Sequence, residues 1–168
     1  IAAGESLTLE LKKSTAEKDR ACRALCAFAN GRGGQVVFGV TPAGKVVGQK
    51  VSERTLEELA QEFQRFEPPL LPRLQRVPVS EADAVGLEVL LVQVERATHA
   101  PVSFRGVPYE RVLNTTRVMP RSSYQRLHSP RLHQCGRLGV GGFVRRPAGD
   151  HLPGRTAFWP DPRDALRT

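Results

Sequence analysis

A chain of 168 residues, 40% of them hydrophobic, is long enough to bury the core of one ordinary domain. No apolar run approaches the roughly 18 residues a membrane-spanning helix needs, and the first residues lack the basic-then-apolar pattern of a secretory signal. Neither a membrane protein nor a secreted precursor is therefore expected, and a cytoplasmic location is. The formal charge of +8 suits a polyanionic partner, nucleic acid first, or simply a solvated basic surface.

The chain begins with Ile1 rather than Met, as a fragment or processed product would. Leu7, Leu9 and Leu11 alternate with Thr8, Glu10 and Lys12, which predicts a half-buried strand whose polar face carries Glu10 and Lys12. Ser14-Thr15-Ala16-Glu17 has the form of a capping box, so a helix should start there. Ala21, Ala24, Leu25 and Phe28 supply its apolar stripe, widened by Cys22, Cys26 and Ala29. Asn30 and Gly31 end it, Gly33-Gly34 turns the chain, and Val36 to Val40 is a central strand. Thr41-Pro42-Ala43-Gly44 should turn this strand into another at Lys45 to Gly48.

Ser52 can cap a second helix with the stripe Leu56, Leu59, Ala60 and Phe63, stopped by Pro68-Pro69. Strands are predicted at about Leu74 to Val79 and Leu87 to Val94, with a turn at Glu81-Ala82-Asp83. Val102 to Phe104 and Val107 to Val112 form a hairpin around Arg105-Gly106. Asn114 to Arg117 reads as a polar connection and Pro120 to Leu127 as a short helix. The expected architecture is α+β: a small mixed sheet with two to three packed helices over residues 1–128. Residues 129–168 hold 6 Gly and 5 Pro without apolar periodicity, which predicts a disordered low-complexity tail.

Glu5, Glu10 and Lys12 form the first chemical candidate. Paired carboxylates can hold a divalent cation, and a nearby lysine can orient a metal-bound water or stabilise charge. An ordinary exposed strand face is the alternative. The Gly31-Arg32-Gly33-Gly34 segment follows a helix C-terminus, the wrong polarity for a phosphate cradle. It reads as a structural turn from which Arg32 can reach a backbone phosphate. Arg105, Tyr109, Arg111 and Arg117 interleave arginine with an aromatic, the pattern of a nucleic-acid groove. The three cysteines, Cys22, Cys26 and Cys135, show no metal-ligand spacing, so they read as reduced structural thiols.

Several of these pieces together resemble the Schlafen AlbA-2 domain, also described as a DNA-binding domain. They are Glu5-x-x-x-x-Glu10-Leu11-Lys12, Cys26-Ala27-Phe28-Ala29-Asn30 with Gly33-Gly34, Val37-Phe38-Gly39-Val40, and Gly44-Lys45-Val46-Val47-Gly48. Tyr109-Glu110-Arg111-Val112 with Asn114-Thr115-Thr116-Arg117 completes the set. The resemblance covers Gly4 to Leu127 and implies a small α+β fold. In vertebrate Schlafens two such lobes form an RNA-cleaving groove with a three-carboxylate metal site. Glu5 and Glu10 fall on the first two acids, whereas the third place holds Thr41-Pro42-Ala43.

Microbial relatives carry the domain in transcriptional regulators, ATP-binding proteins and helicase-related proteins, although no ATP-binding signature is visible here. The resemblance thus implies a nucleic-acid-binding module of a transcriptional regulator or ATP-binding protein, with Arg32, Arg105, Tyr109, Arg111 and Arg117 on DNA or RNA. Its alternative is an endoribonuclease using Glu5, Glu10 and Lys12 with Mg²⁺ or Mn²⁺, as a homodimer that completes the groove.

Overall fold

The computed structural model describes residues 5–80 and 85–128. The turn expected at 81–83 and the tail expected at 129–168 lie outside them. Among the described residues, no helix is long and apolar enough to cross a membrane.

Strand β1 (Leu9–Lys12) leads through a 3₁₀ turn (Thr15–Glu17) into helix α1 (Lys18–Asn30). The Ser14 side chain accepts the Ala16 N–H at the head of that turn, so the predicted start is right, with one tight turn before the α-helix. Strand β2 (Gly34–Phe38) then pairs parallel with β1, the crossover that parallel strands require being supplied by α1. Helix α2 (Glu53–Phe63) starts from a reciprocal cap between Ser52 and Thr55. Strands β3 (Phe66–Glu67), β4 (Arg73–Pro78), β5 (Glu88–Val94), β6 (Ser103–Phe104), β7 (Val107–Val112) and β8 (Thr115–Val118) follow, and α3 (Arg121–His128) closes the set.

The strands divide into two four-stranded sheets, ordered β1-β2-β5-β4 and β3-β6-β7-β8, where one mixed sheet was expected. Helix α1 lies between them and meets β2 and β5 on one side and β6, β7 and β8 on the other. This is why Ala21, Cys22, Ala24, Leu25, Cys26, Ala27, Phe28, Ala29 and Asn30 are all buried. Arg20 and Arg23 stay exposed in its first two turns, every residue from Ala24 to Asn30 is buried, and the alanines and cysteines let both sheets approach closely. Val36, Phe38, Leu90 and Val92 pack with it from the first sheet, and Phe104 with Tyr109 from the second.

Two predicted segments differ. Lys45 to Gly48 forms no strand: the Val40–Val46 bridge is isolated, and Gly44 and Gly48 take φ of +84° and +63°, which breaks an extended run. Thr115–Val118 is a strand rather than a connection, because β7 supplies a full ladder from Tyr109–Val118 to Val112–Thr115.

Asn30 fastens the end of α1 to the second sheet. Its carboxamide nitrogen donates to the carbonyls of Val102 (2.8 Å) and Tyr109 (2.9 Å), and its oxygen accepts the Val102 N–H at 2.6 Å. The glycines after it serve close approach. A Cβ on Gly33, at φ +81°, would lie 2.9 Å from the Val94 carbonyl, and one on Gly34 would lie 2.7 Å from the Phe28 ring. Phe28 O in turn accepts the N–H groups of Gly31 (3.0 Å) and Gly33 (2.8 Å), satisfying a helix-end carbonyl.

Asn30→Ala strands buried backbone groups and is expected to cost about 2–4 kcal/mol of unfolding free energy; urea denaturation with an unchanged m-value checks this. Burial pushes the Cys22 and Cys26 thiols up to about 12. Because they ionise at higher pH folded than unfolded, their contribution is intact below about pH 9 and is lost as pH rises towards 12. In a Cys135→Ser variant, a disulfide reagent at pH 8 should label neither thiol until the chain unfolds. Rapid labelling of the native protein would contradict their burial.

Candidate functional site

In β1, alternation sends Leu9 and Leu11 to one side and Glu10 and Lys12 to the other. Glu10 pairs across to Val36 and Lys12 to Phe38, so both polar side chains lie on the face that α1 covers. The expected solvent face is therefore inside: the side chains are 12% and 9% exposed. Lys12 Nζ lies 2.5 Å from Glu10 Oε1 and 3.8 Å from Glu5 Oε1. Glu5 Oε1 also accepts the Leu11 N–H at 3.4 Å. The sequence-predicted trio is thus brought together.

Arg111 of β7 reaches the same place from the other sheet, its side chain 4% exposed. Its Nη1 lies 2.6 Å from Glu10 Oε2, off hydrogen-bond alignment, and donates to Thr116 Oγ1 at 2.9 Å. Nε and Nη2 donate to Ser6 O at 3.2 and 3.0 Å, and the guanidinium lies 5.2 Å over the Phe28 ring. Two carboxylates and two cations thus form an internally neutral group that ties β1 to β7 and β8. Sequence reading placed Arg111 on an outward groove. The strand period turns it inward instead.

The cluster does not fit a divalent metal. Each Glu10 oxygen already faces a cation at 2.5–2.6 Å. The third acid's place is taken by Thr41, whose Oγ1 accepts the Lys45 N–H at 3.1 Å within its own turn. Among the described residues, no group of three His, Cys, Asp or Glu side chains could hold a metal ion.

The other sequence-predicted contacts separate. Tyr109 is buried beneath Arg23, 5.8 Å from its ring, so it has no face to offer a base, and burial pushes its phenol up. Arg105 sits in the β6–β7 turn at φ +51°, paired with Glu62 at 2.8 Å and Asp19 at 3.1 Å. The Glu62 hydrogen bond holds its guanidinium above the usual range. Arg117 stands opposite Glu110 in the β7–β8 ladder and binds it at 2.7 Å. Arg32 is exposed in the glycine bend and stays unpaired. No local signal in the sequence marks which arginines meet carboxylates, since most of these partners come from elements distant along the chain.

The family profile described as Schlafen, AlbA_2 matches residues 5–120. Among solved structures, the crystal structure of the DIP2311 protein from Corynebacterium diphtheriae is similar at 19% identity, with a TM-score of 0.54. The match covers 74% of this chain and 28% of that one, so this chain spans less than a third of that protein's length. At this identity the likeness is one of fold. No curated protein matches.

Glu10→Gln leaves Lys12 and Arg111 buried without their shared carboxylate, and is expected to cost about 3–5 kcal/mol. Saturating Mn²⁺ should leave the wild-type melting temperature unchanged, whereas a ligand at 100 times its Kd would add about 2.7 kcal/mol. A Mn²⁺-dependent rise that vanishes in Glu10→Gln would refute the ion-pair assignment.

Proposed function

Because the chain belongs to the Schlafen AlbA_2 family, we propose that it is a nucleic-acid-binding module that grips the phosphate backbone without reading bases. The observation that carries this is a surplus of unmatched cations. Among the described residues, Lys13, Arg32, Lys45, Lys50, Arg96 and Arg121 are exposed, and their charged side-chain groups have no carboxylate or hydrogen-bond partner. Among the carboxylates of the described residues, only Glu57 and Glu67 lack a cation. On a chain of net charge +8, such a surface releases condensed counterions on meeting a polyanion.

The nuclease reading draws on the convergence of Glu5, Glu10 and Lys12. The donor set does not support it, since Arg111 and Lys12 occupy both oxygens of Glu10. The function is then one of docking. We place the module within a larger regulatory protein, transcriptional or ATP-linked, or within a homodimer that extends the basic surface.

Titration of the protein into labelled tRNA and labelled duplex DNA, by anisotropy over a salt series, tests the reading. The logarithm of the binding constant should fall linearly with the logarithm of salt concentration. A flat response, or no binding at low salt, sinks the proposal. Parallel lanes with Mn²⁺ should show intact RNA.

A further inference from the structure

Among the unmatched cations, Arg32 and Arg96 come from segments far apart in the chain and meet at one end of the first sheet. The β2–β5 ladder pairs Gly34 with Val94. The ladder ends at that pair and the chain turns through Gly31-Arg32-Gly33, so Arg32 leads directly into the residue that touches the end of β5. Gly33 between them presses directly on β5: its Cβ would lie 2.9 Å from Val94 O and 3.2 Å from Arg96 N. The glycine bend thus does more than turn the chain. It brings the residue after Arg32 against the end of β5, so that two exposed arginines are carried by neighbouring backbone at one sheet end.

Neither guanidinium has a carboxylate partner, so both are available to an anion. Arg96 also borders a concavity of about 320 Å³, with Arg73, Gln93, Glu95 and Thr98 around it. Arg73 is held to Glu95 at 3.1 Å, but both side chains are at least 74% exposed, and such a pair is weak. The negative end of α1 lies nearby, and it is capped. Ala97 donates its N–H to Ala29 O at 2.9 Å, and Phe28 O holds Gly31 and Gly33.

We propose that Arg32 and Arg96 form a phosphate clamp that binds adjacent phosphates of a nucleic-acid backbone at this sheet end. The clamp rests on the nucleic-acid reading above and locates it. Guanidiniums match phosphate oxygens in bidentate geometry, and contacts of this kind carry no base information. The shared chemistry is the phosphodiester, which RNA and DNA both provide.

The test compares the full chain with Arg32→Ala/Arg96→Ala and with Arg20→Ala/Arg54→Ala. The second pair removes the same charge from carboxylate-paired positions whose side chains are 78% and 86% exposed. Anisotropy with a labelled structured RNA and a labelled duplex DNA over a salt series gives the slope of log K against log salt. Loss of the clamp should reduce the magnitude of that slope by about two, with an unchanged melting temperature, while the control pair keeps the wild-type slope. A reduction on RNA alone or DNA alone supports the clamp and identifies its source.

Wild-type binding with the slope unchanged in the clamp variant overturns the clamp and leaves the nucleic-acid reading standing. An equal reduction in the control pair also overturns the clamp. Absence of salt-dependent wild-type binding to both RNA and DNA removes both.

Discussion

The carboxamide of Asn30 holds the molecule together as a two-sheet structure. It is the last residue of a short helix, yet its side chain satisfies backbone groups on two separate segments of the second sheet, at Val102 and at Tyr109. Asparagine suits this position because it offers a donor and an acceptor on one rigid plane. A carboxylate would set two carbonyl oxygens against negative charge, and an apolar residue would leave them unpaired in a region without water. Cys26, one turn earlier, adds a thiol hydrogen bond to the same Val102 carbonyl at 3.2 Å. The second sheet is therefore fastened to the end of α1.

With the sheets fastened there, β1 and β7 face one another across the edge of α1, and the charge cluster follows. Glu10 and Lys12 project inward from β1, Arg111 projects inward from β7, and Glu5 closes the group from the preceding segment. Buried charges persist when they compensate one another, and here four of them do so with no net charge left over. The consequence for function is indirect. Arg111 is consumed within the fold, as are Arg105 and Arg117 at carboxylates of their own. The cations available to an outside anion are those left unmatched, and none of them lies on the strands and turns that carry Arg105, Arg111 and Arg117.

Much of the fold was legible because its signals are local. The helical stripe of α1, the cap at Ser52, the apolar runs of β2 and β5 and the β6–β7 hairpin are written in residues a few positions apart, and they form as read. Strand β8 was not legible: Asn114-Thr115-Thr116-Arg117 carries no apolar alternation and becomes a strand because β7 is there to pair with it. Lys45 to Gly48 erred the other way, its valines suggesting a strand that two positive-φ glycines prevent. In the site, the grouping of Glu10 with Lys12 follows from a spacing of two. The arrival of Arg111 from the opposite sheet does not.

From its sequence alone, this protein's helices and main strands, its family motif and its excess of positive charge were determined, because each depends on residue types at short spacing. Only the tertiary structure decided which face of β1 is interior and which arginines are left unmatched. The physical reason is that ion pairing depends on separation in space and on local burial. Both are set by how the two sheets close on α1, and neither is encoded in any single stretch of chain.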